Sequence, residues 1–195
     1  MAIITIAEFT DYIRNELGSV DTAHVTSAYN AAESTLSGVC QREWKVASTS
    51  TARVYVPDGT SILRIHDCTS VTSITLDGAT VASTDYQLEP LNAIAWDGTP
   101  WPYERVVRLL GWWWFPTIPG KASVTVTAAW GWSAIPPEII EAVKILGKGI
   151  VELRNSRGGV IASDVFGPVR VSRNIAGQVE SLISGFKRAE AFGIA

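Results

Sequence analysis

Apolar positions recur at helical spacing near both ends of the chain and at alternating spacing between them. Near the start, Ile6, Phe9, Ile13 and Leu17 fall three or four residues apart, which puts them on one helix face. Thr5 and Glu8 form a capping box, in which hydroxyl and carboxylate satisfy the amides exposed at a helix start. Gly18 ends that helix. Asp21 caps a second predicted helix running to about Cys40, with Val25, Ala28, Tyr29, Ala32, Leu36 and Val39 as its stripe. The alanines in this stripe let another helix approach closely, in the same subunit or in a neighbour.

From about Ala47 the period changes to two. ARVYVPDGTSILRI holds two β-rich runs around the turn signal Pro57-Asp58-Gly59. VTSITLDGATV repeats the idea, with Asp77-Gly78 suited to a hairpin turn. YQLEP, AIAWDG and RVVRLL continue the texture. In SVTVTAAW, Val124, Val126 and Ala128 alternate with Thr125 and Thr127. The spacing predicts an antiparallel region of roughly six or more short strands. Pro136-Pro137-Glu138 then opens a third helix, with proline in a first turn and an acid at the positive helix end. Its predicted stripe is Ile139, Val143, Leu146, Ile150 and Leu153. Gly147 and Gly149 lie inside it at a cost of about 1 kcal/mol each relative to alanine, so they mark close packing. RNSRGG reads as a flexible link and VFGPVRVS as holding a short strand. A last helix from about Ala176 to Arg188 carries Val179, Leu182, Ile183 and Phe186. This order predicts an α+β subunit: a helical core from both chain ends (about 5–40 and 136–188) with an inserted antiparallel β region (about 47–132), all in one unit of 1–195.

One stretch breaks the alternation. RLLGWWWFPTIPG, residues 108–120, sets Trp112, Trp113, Trp114 and Phe115 in a row. Successive strand residues face opposite sides, so the run cannot all enter one core. Two readings stand: packing under a loop, or a contact surface, where tryptophan is enriched. Trp130 and Trp132, which flank Gly131, read as core.

Composition narrows the function. The chain has 195 residues, 47% hydrophobic and 18% charged, with a formal net charge of -3. That supports a real core and excludes a disordered chain. No Lys/Arg run stands out, so the electrostatic footprint of a DNA binder is missing. The start carries Glu8 and lacks the basic and small-residue pattern of a signal peptide. No apolar run reaches the roughly 20 residues of a membrane span. Cys40 and Cys68 read as reduced, buried residues of a cytosolic protein, although a disulfide between them stays open. His24 and His66 lie in no metal-ligand spacing. NSRGGV lacks the spacing and lysine of a phosphate loop. Asp77, Asp85, Glu89 and Asp97 read as turn and loop acids. The expectation is therefore no catalytic, cofactor-binding or metal site, and no enzyme.

Two segments carry a resemblance. VTVTAAWGWSAIPPEIIEAVKIL, residues 124–146, is a strand, a Gly-Trp pair and a proline-led helix. DVFGPVRVSRNIAGQVESLISGFKR, residues 164–188, places Val169-Arg170-Val171-Ser172 before a helix ending in Phe186-Lys187-Arg188. With the two-helix start and the Tyr86-Gln87-Leu88 and Trp101-Pro102 stretches, the chain resembles the head–tail connector (adaptor) proteins of long-tailed bacteriophages. The resemblance covers most of the chain through short motifs. The loop 111–120 is longer and more aromatic than the family's usual connection, and AEAFGIA continues past the usual basic end. The resemblance implies a virion structural protein, made in the host cytoplasm and placed in the neck. It implies a twelve-fold homo-oligomeric ring under the portal protein, docking a stopper or tail-completion protein. DNA would pass the ring's lumen without sequence-specific binding, and no membrane or cofactor is involved. Interface residues are expected at Trp112, Trp113, Trp114 and Phe115, and in the terminal helix at Val179, Leu182, Ile183 and Phe186. The rival reading is a Trp-rich β module that binds carbohydrate or peptide.

Overall fold

The predicted periodicities become helices and strands in a computed structural model, which describes residues 3–95, 98–109, 114, 120–155, 163–164, 167–168 and 172–188. Two compact units result. One is helical and drawn from Met1–Arg42 and Ile135–Ala191; the other, Glu43–Ala134, holds the main sheet. The class is α+β, with the antiparallel region inserted between helices from the two chain ends.

In the helical unit, α1 spans Ile6–Leu17 and α2 spans Thr22–Cys40. The capping box is present: the Glu8 amide donates to Thr5 Oγ1 at 3.1 Å, and the Thr5 amide donates to Glu8 Oε2 at 2.8 Å. Asp21 caps α2 by accepting from the Ala23 amide at 2.9 Å. Helix α3 spans Pro137–Asn155 and packs against α2, α1 and α4, which spans Ser172–Ile183. Helices from the two chain ends therefore share one core. The alanine stripe of α2 meets a helix of its own chain: Ala28 and Ala32 are fully buried.

The stripe of α3 differs from the expected one. Ile139, Ala142, Val143, Gly147, Gly149 and Val151 are buried, Leu146 and Ile150 are half-buried, and Leu153 is exposed. The glycines explain the shift. A Cβ on Gly147 would run into the Phe9 ring, and one on Gly149 would lie 2.8 Å from Ile175. Neighbours close in on the bare backbone, so the contact line follows 143, 147 and 151. On α2, Val39 is likewise exposed and Cys40 is buried in its place. Polar ties fix the edges of the unit: Lys148 pairs with Glu16 at 2.7 Å, and Arg154 donates to Ser27 Oγ at 3.1 Å.

In the second unit, β1 (Thr51–Tyr55), β2 (Ile62–Leu76), β3 (Ala79–Thr80), β4 (Tyr86–Glu89), β5 (Tyr103–Arg108) and β6 (Val124–Trp130) form one antiparallel sheet. The order is β1-β6-β2-β5-β4, with β3 on β2. The turn at Pro57-Asp58-Gly59 joins strands that do not pair with each other: β1 lies on β6. Asp77 and Gly78 make the expected hairpin turn, both with positive φ (49° and 86°), the geometry that two-residue hairpin turns require. Among the described residues of AIAWDG there is no strand. Leu91–Ala93 is a short 3-10 turn, and Ile94 makes a single bridge to Pro100. Strand β2 is long enough to change partners. Its start pairs with β5 and its end with β6, and Cys68 stands opposite both Tyr103 and Trp130. One face of the sheet is a core of Leu63, Ile65, Val106, Val124 and Val126. Gly167–Pro168 forms a two-residue strand, β8, within VFGPVRVS, paired with β7 at Ser163–Asp164.

Candidate interaction surfaces

Among the described residues no three His, Cys, Asp or Glu side chains gather as a metal would need. No described helix is long and apolar enough to cross a membrane. His24 is exposed on α2, and His66 is held at 2.8 Å between its Nδ1 and the Tyr55 hydroxyl. Cys40 and Cys68 are both buried and not joined in a disulfide, one in each unit, and burial raises the Cys40 thiol pKa.

The tryptophans hold the sheet unit together. Trp132 lies 5.1 Å from the Trp44 ring and 5.2 Å from Trp101, the latter edge-on. Its amide donates to Lys45 O and its carbonyl accepts from the Ala47 amide, each at 2.8 Å. Gly131 makes this approach possible. Its φ is +124°, and a Cβ there would collide with the Lys45 carbonyl. Trp130 is buried, donates from Nε1 to Thr51 O at 2.8 Å and lies under the Arg53 guanidinium at 4.8 Å. Both residues are core, as the sequence predicts. Beside them, burial pushes the Glu43 carboxyl up, but hydrogen bonds and charge from Arg53 and Lys45 outweigh it and hold its pKa at about 2.

Trp114 is fully buried in the same core. Its amide donates to Thr60 O at 2.9 Å and its Nε1 to Ser61 O at 3.1 Å, and Arg108 stacks 5.4 Å from its ring. Of the aromatic run, this member is packed inside its own unit. Trp112, Trp113 and Phe115 lie outside the described residues.

The terminal helix is covered by its own chain. Helix α4 packs on α3, and Val179 and Ile183 are buried, while Leu182 and Phe186 are half-buried. Arg42, itself buried, donates from Nε to Phe186 O at 2.7 Å, and the Arg188 amide donates to Cys40 O at 3.2 Å. The face expected to dock elsewhere is thus largely used inside the helical unit. Leu182 and Phe186 keep part of their surface open.

Sequence reasoning missed one surface. On the outer side of the sheet, Ile62 stands opposite Val107 and Val107 opposite Gln87. In the next such row, Arg64 stands opposite Arg105 and Arg105 opposite Glu89. Ile62 and Leu109 are exposed, and so are Arg64 and Arg105. Two arginines directly opposite each other cost a sheet stability. Glu89 lies 3.7 Å from Arg105 Nε. Such a row exists only once strand register is set, and β2 and β5 are far apart in sequence.

By sequence, the chain matches no family model and no curated protein. By structure, it matches chains in solved structures of gene transfer agent particles, three of which follow. One is in the neck of an empty GTA particle computed with C6 symmetry: TM-score 0.57, 20% identity, covering 98% of this chain and 92% of that one. Another is in the neck of a native GTA particle computed with C12 symmetry: TM-score 0.53, 21% identity, covering 96% and 90%. The third is in the virion of a native gene transfer agent (GTA) particle: TM-score 0.54, 22% identity, covering 98% and 92%. Over nearly its whole length, the chain has the fold of a chain found in the neck of gene transfer agent particles.

Proposed function

We propose that this chain is a structural head-to-tail connector subunit. It forms a homo-oligomeric ring, twelve-fold, in the neck of a phage-like particle. The ring sits under the portal, extends the DNA channel and docks a stopper or tail-completion protein. The observation that carries this is the shared fold with neck chains across 96–98% of the sequence, in structures with C6 and C12 symmetry. The resemblance in 124–146 and 164–188, drawn from motifs alone, supports the same reading. So does the charge: a net -3 chain without a basic run suits a channel that lets DNA pass. Trp112, Trp113 and Phe115 remain the proposed aromatic contact, with the open edges of Leu182 and Phe186 as a second. Trp44, Trp114, Trp130 and Trp132 are buried, which leaves the carbohydrate-platform reading without an exposed aromatic shelf among the described residues.

The test is co-sedimentation of the full chain with portal rings of the same particle. Stoichiometric binding is expected, and replacing Trp112 and Trp113 by serine should weaken it without lowering the melting temperature. Absence of binding by the native chain would sink the portal-docking role.

A further inference from the structure

We infer that the edge strand β1 of one copy is completed by a strand from the next copy in the ring. The donated piece is the arm between α3 and α4, residues 156–171, with residues 160–164 lying along the open edge of β1. The inference rests on the ring reading above and names the pieces that close the ring.

The receiving edge is β1, the outermost strand of its sheet, which pairs with β6 alone among the described residues. In an antiparallel ladder every second residue turns its amide and carbonyl away from its partner. An outer strand therefore keeps a row of groups that another strand can satisfy. Trp130 Nε1 already takes the Thr51 carbonyl at 2.8 Å, so the open stretch begins at Ala52. Val54 is 58% exposed, and Val56, just beyond the strand, is 44% exposed. Proteins usually guard such an edge with charge or proline. At the far edge, β4 ends in Glu89 and Pro90 follows it. On β1 there is no proline, and its one charge, Arg53, is turned onto the Trp130 ring and Glu43. An unguarded apolar edge is the kind that strand addition uses.

The donated piece follows from the length of the arm and from where it begins and ends. Arg154, at the end of α3, meets Ser27 near the start of α2, and Arg42, beyond the end of α2, meets Phe186 beyond the end of α4. Ile175, near the start of α4, lies against Gly149 in the second half of α3. Helices α2 and α4 therefore both run opposite to α3. Packed antiparallel helices are usually joined by roughly 2–8 residues. Residues 156–171 are far more than that joint needs. The rungs Ser163–Pro168 and Asp164–Gly167 show that the segment goes out and comes back. Half its length, at about 3.3 Å per residue, reaches roughly 25 Å, enough to cross to an adjacent subunit. Of its two limbs, 167–171 carries Pro168, which has no amide to donate, and the charge of Arg170. The limb 160–164 has no proline, and its first three residues, Val160, Ile161 and Ala162, share the apolar character of Val54 and Val56. A ring contact is head to tail and joins two different surfaces. An open strand edge and an arm from another part of the chain make such a pair.

The experiment is cross-linking between full chains under ring-forming conditions. Val54→Cys protein mixed with Ile161→Cys or with Ala162→Cys protein should give a disulfide-linked dimer on mild oxidation, while each variant alone should not. Native Cys40 and Cys68 are buried, and the native chain is the control. In parallel, Val54→Lys and Ala162→Pro should each raise the concentration at half assembly at least about tenfold, with the melting temperature kept. Should Ala162→Pro disturb folding, Val54→Lys, at an exposed position, carries the same readout. If the native chain forms rings but the mixtures do not link, or if Val54→Lys assembles as readily as the native chain, the contact lies elsewhere while the ring reading stands. A link that forms only inside a single chain carrying both Val54→Cys and Ala162→Cys would equally overturn the inference. If the native chain never assembles, alone or on portal rings, both readings fall together.

Discussion

The helical unit and the sheet unit reach stability by opposite means. Helices α1 to α4 bury mostly small and branched residues around the Phe9 and Tyr29 rings, and close approaches run over bare glycine backbone at Gly147 and Gly149. The sheet unit is held by large aromatics, Trp44, Trp114, Trp130 and Trp132; the Trp114 and Trp130 indoles donate to the Ser61 and Thr51 carbonyls, and the Trp132 backbone is tied to Lys45 and Ala47. A lost indole leaves a hole that the strands cannot close.

The largest expected effect follows from that contrast. Trp114→Ala should destabilise the sheet unit by about 3–5 kcal/mol, the usual cost of removing a buried tryptophan. Urea unfolding followed by tryptophan fluorescence measures it. A change below about 1 kcal/mol would show that this residue is not the core member described. Next comes Gly131→Ala, which combines a positive φ with a collision at the Lys45 carbonyl. A loss of roughly 2–4 kcal/mol is expected in the same assay. Neutrality would mean that the segment carrying Lys45 moves freely away.

Glycine in the helical unit gives a sharper contrast, because one substitution should change sign with position. Gly147→Ala meets the Phe9 ring and should cost about 1–3 kcal/mol despite alanine's better helix propensity. Gly177→Ala in α4 meets nothing within 4 Å and should stabilise by roughly 0.5–1 kcal/mol. Equal effects at the two sites, read from melting temperatures, would contradict the close α1–α3 packing.

The smallest effect is electrostatic. Glu43 has its pKa lowered from 4.5 to about 2. Its contribution is therefore present above pH 4.5 and lost as pH falls through about 2. Its side chain is 49% exposed, so screening keeps the contribution below about 1 kcal/mol. Glu43→Gln should flatten the acid limb of the stability curve by that amount between these pH values. An unchanged curve would mean that the Arg53 and Lys45 contacts are dispensable.

Much of the fold was legible in local pattern. The capping box at Thr5 and Glu8, the Asp21 cap, the Asp77-Gly78 turn and the proline-led α3 each depend on residues within a few positions. So did the reading of Gly147 and Gly149 as close-packing sites. What escaped depended on partners far along the chain. Leu153 fits the period of α3, yet the glycines shift the contact line away from it. ARVYV and SILRI flank a turn, yet β6 takes the place between β1 and β2. Trp114 sits in an exposed-looking run, yet Thr60 and Ser61 hold it inside. The arginine row exists only once β2 and β5 are in register. The terminal helix looked like a free arm because nothing in its own residues reveals that α3 covers Val179 and Ile183.

The central claim is that this chain closes into a ring as a connector subunit. Its most direct test is the mass distribution of the purified full chain, alone and after incubation with portal rings. The account predicts one discrete species near twelve copies, formed alone or on the portal. A strict monomer under both conditions, or an open-ended ladder of masses without a closed ring, would contradict it.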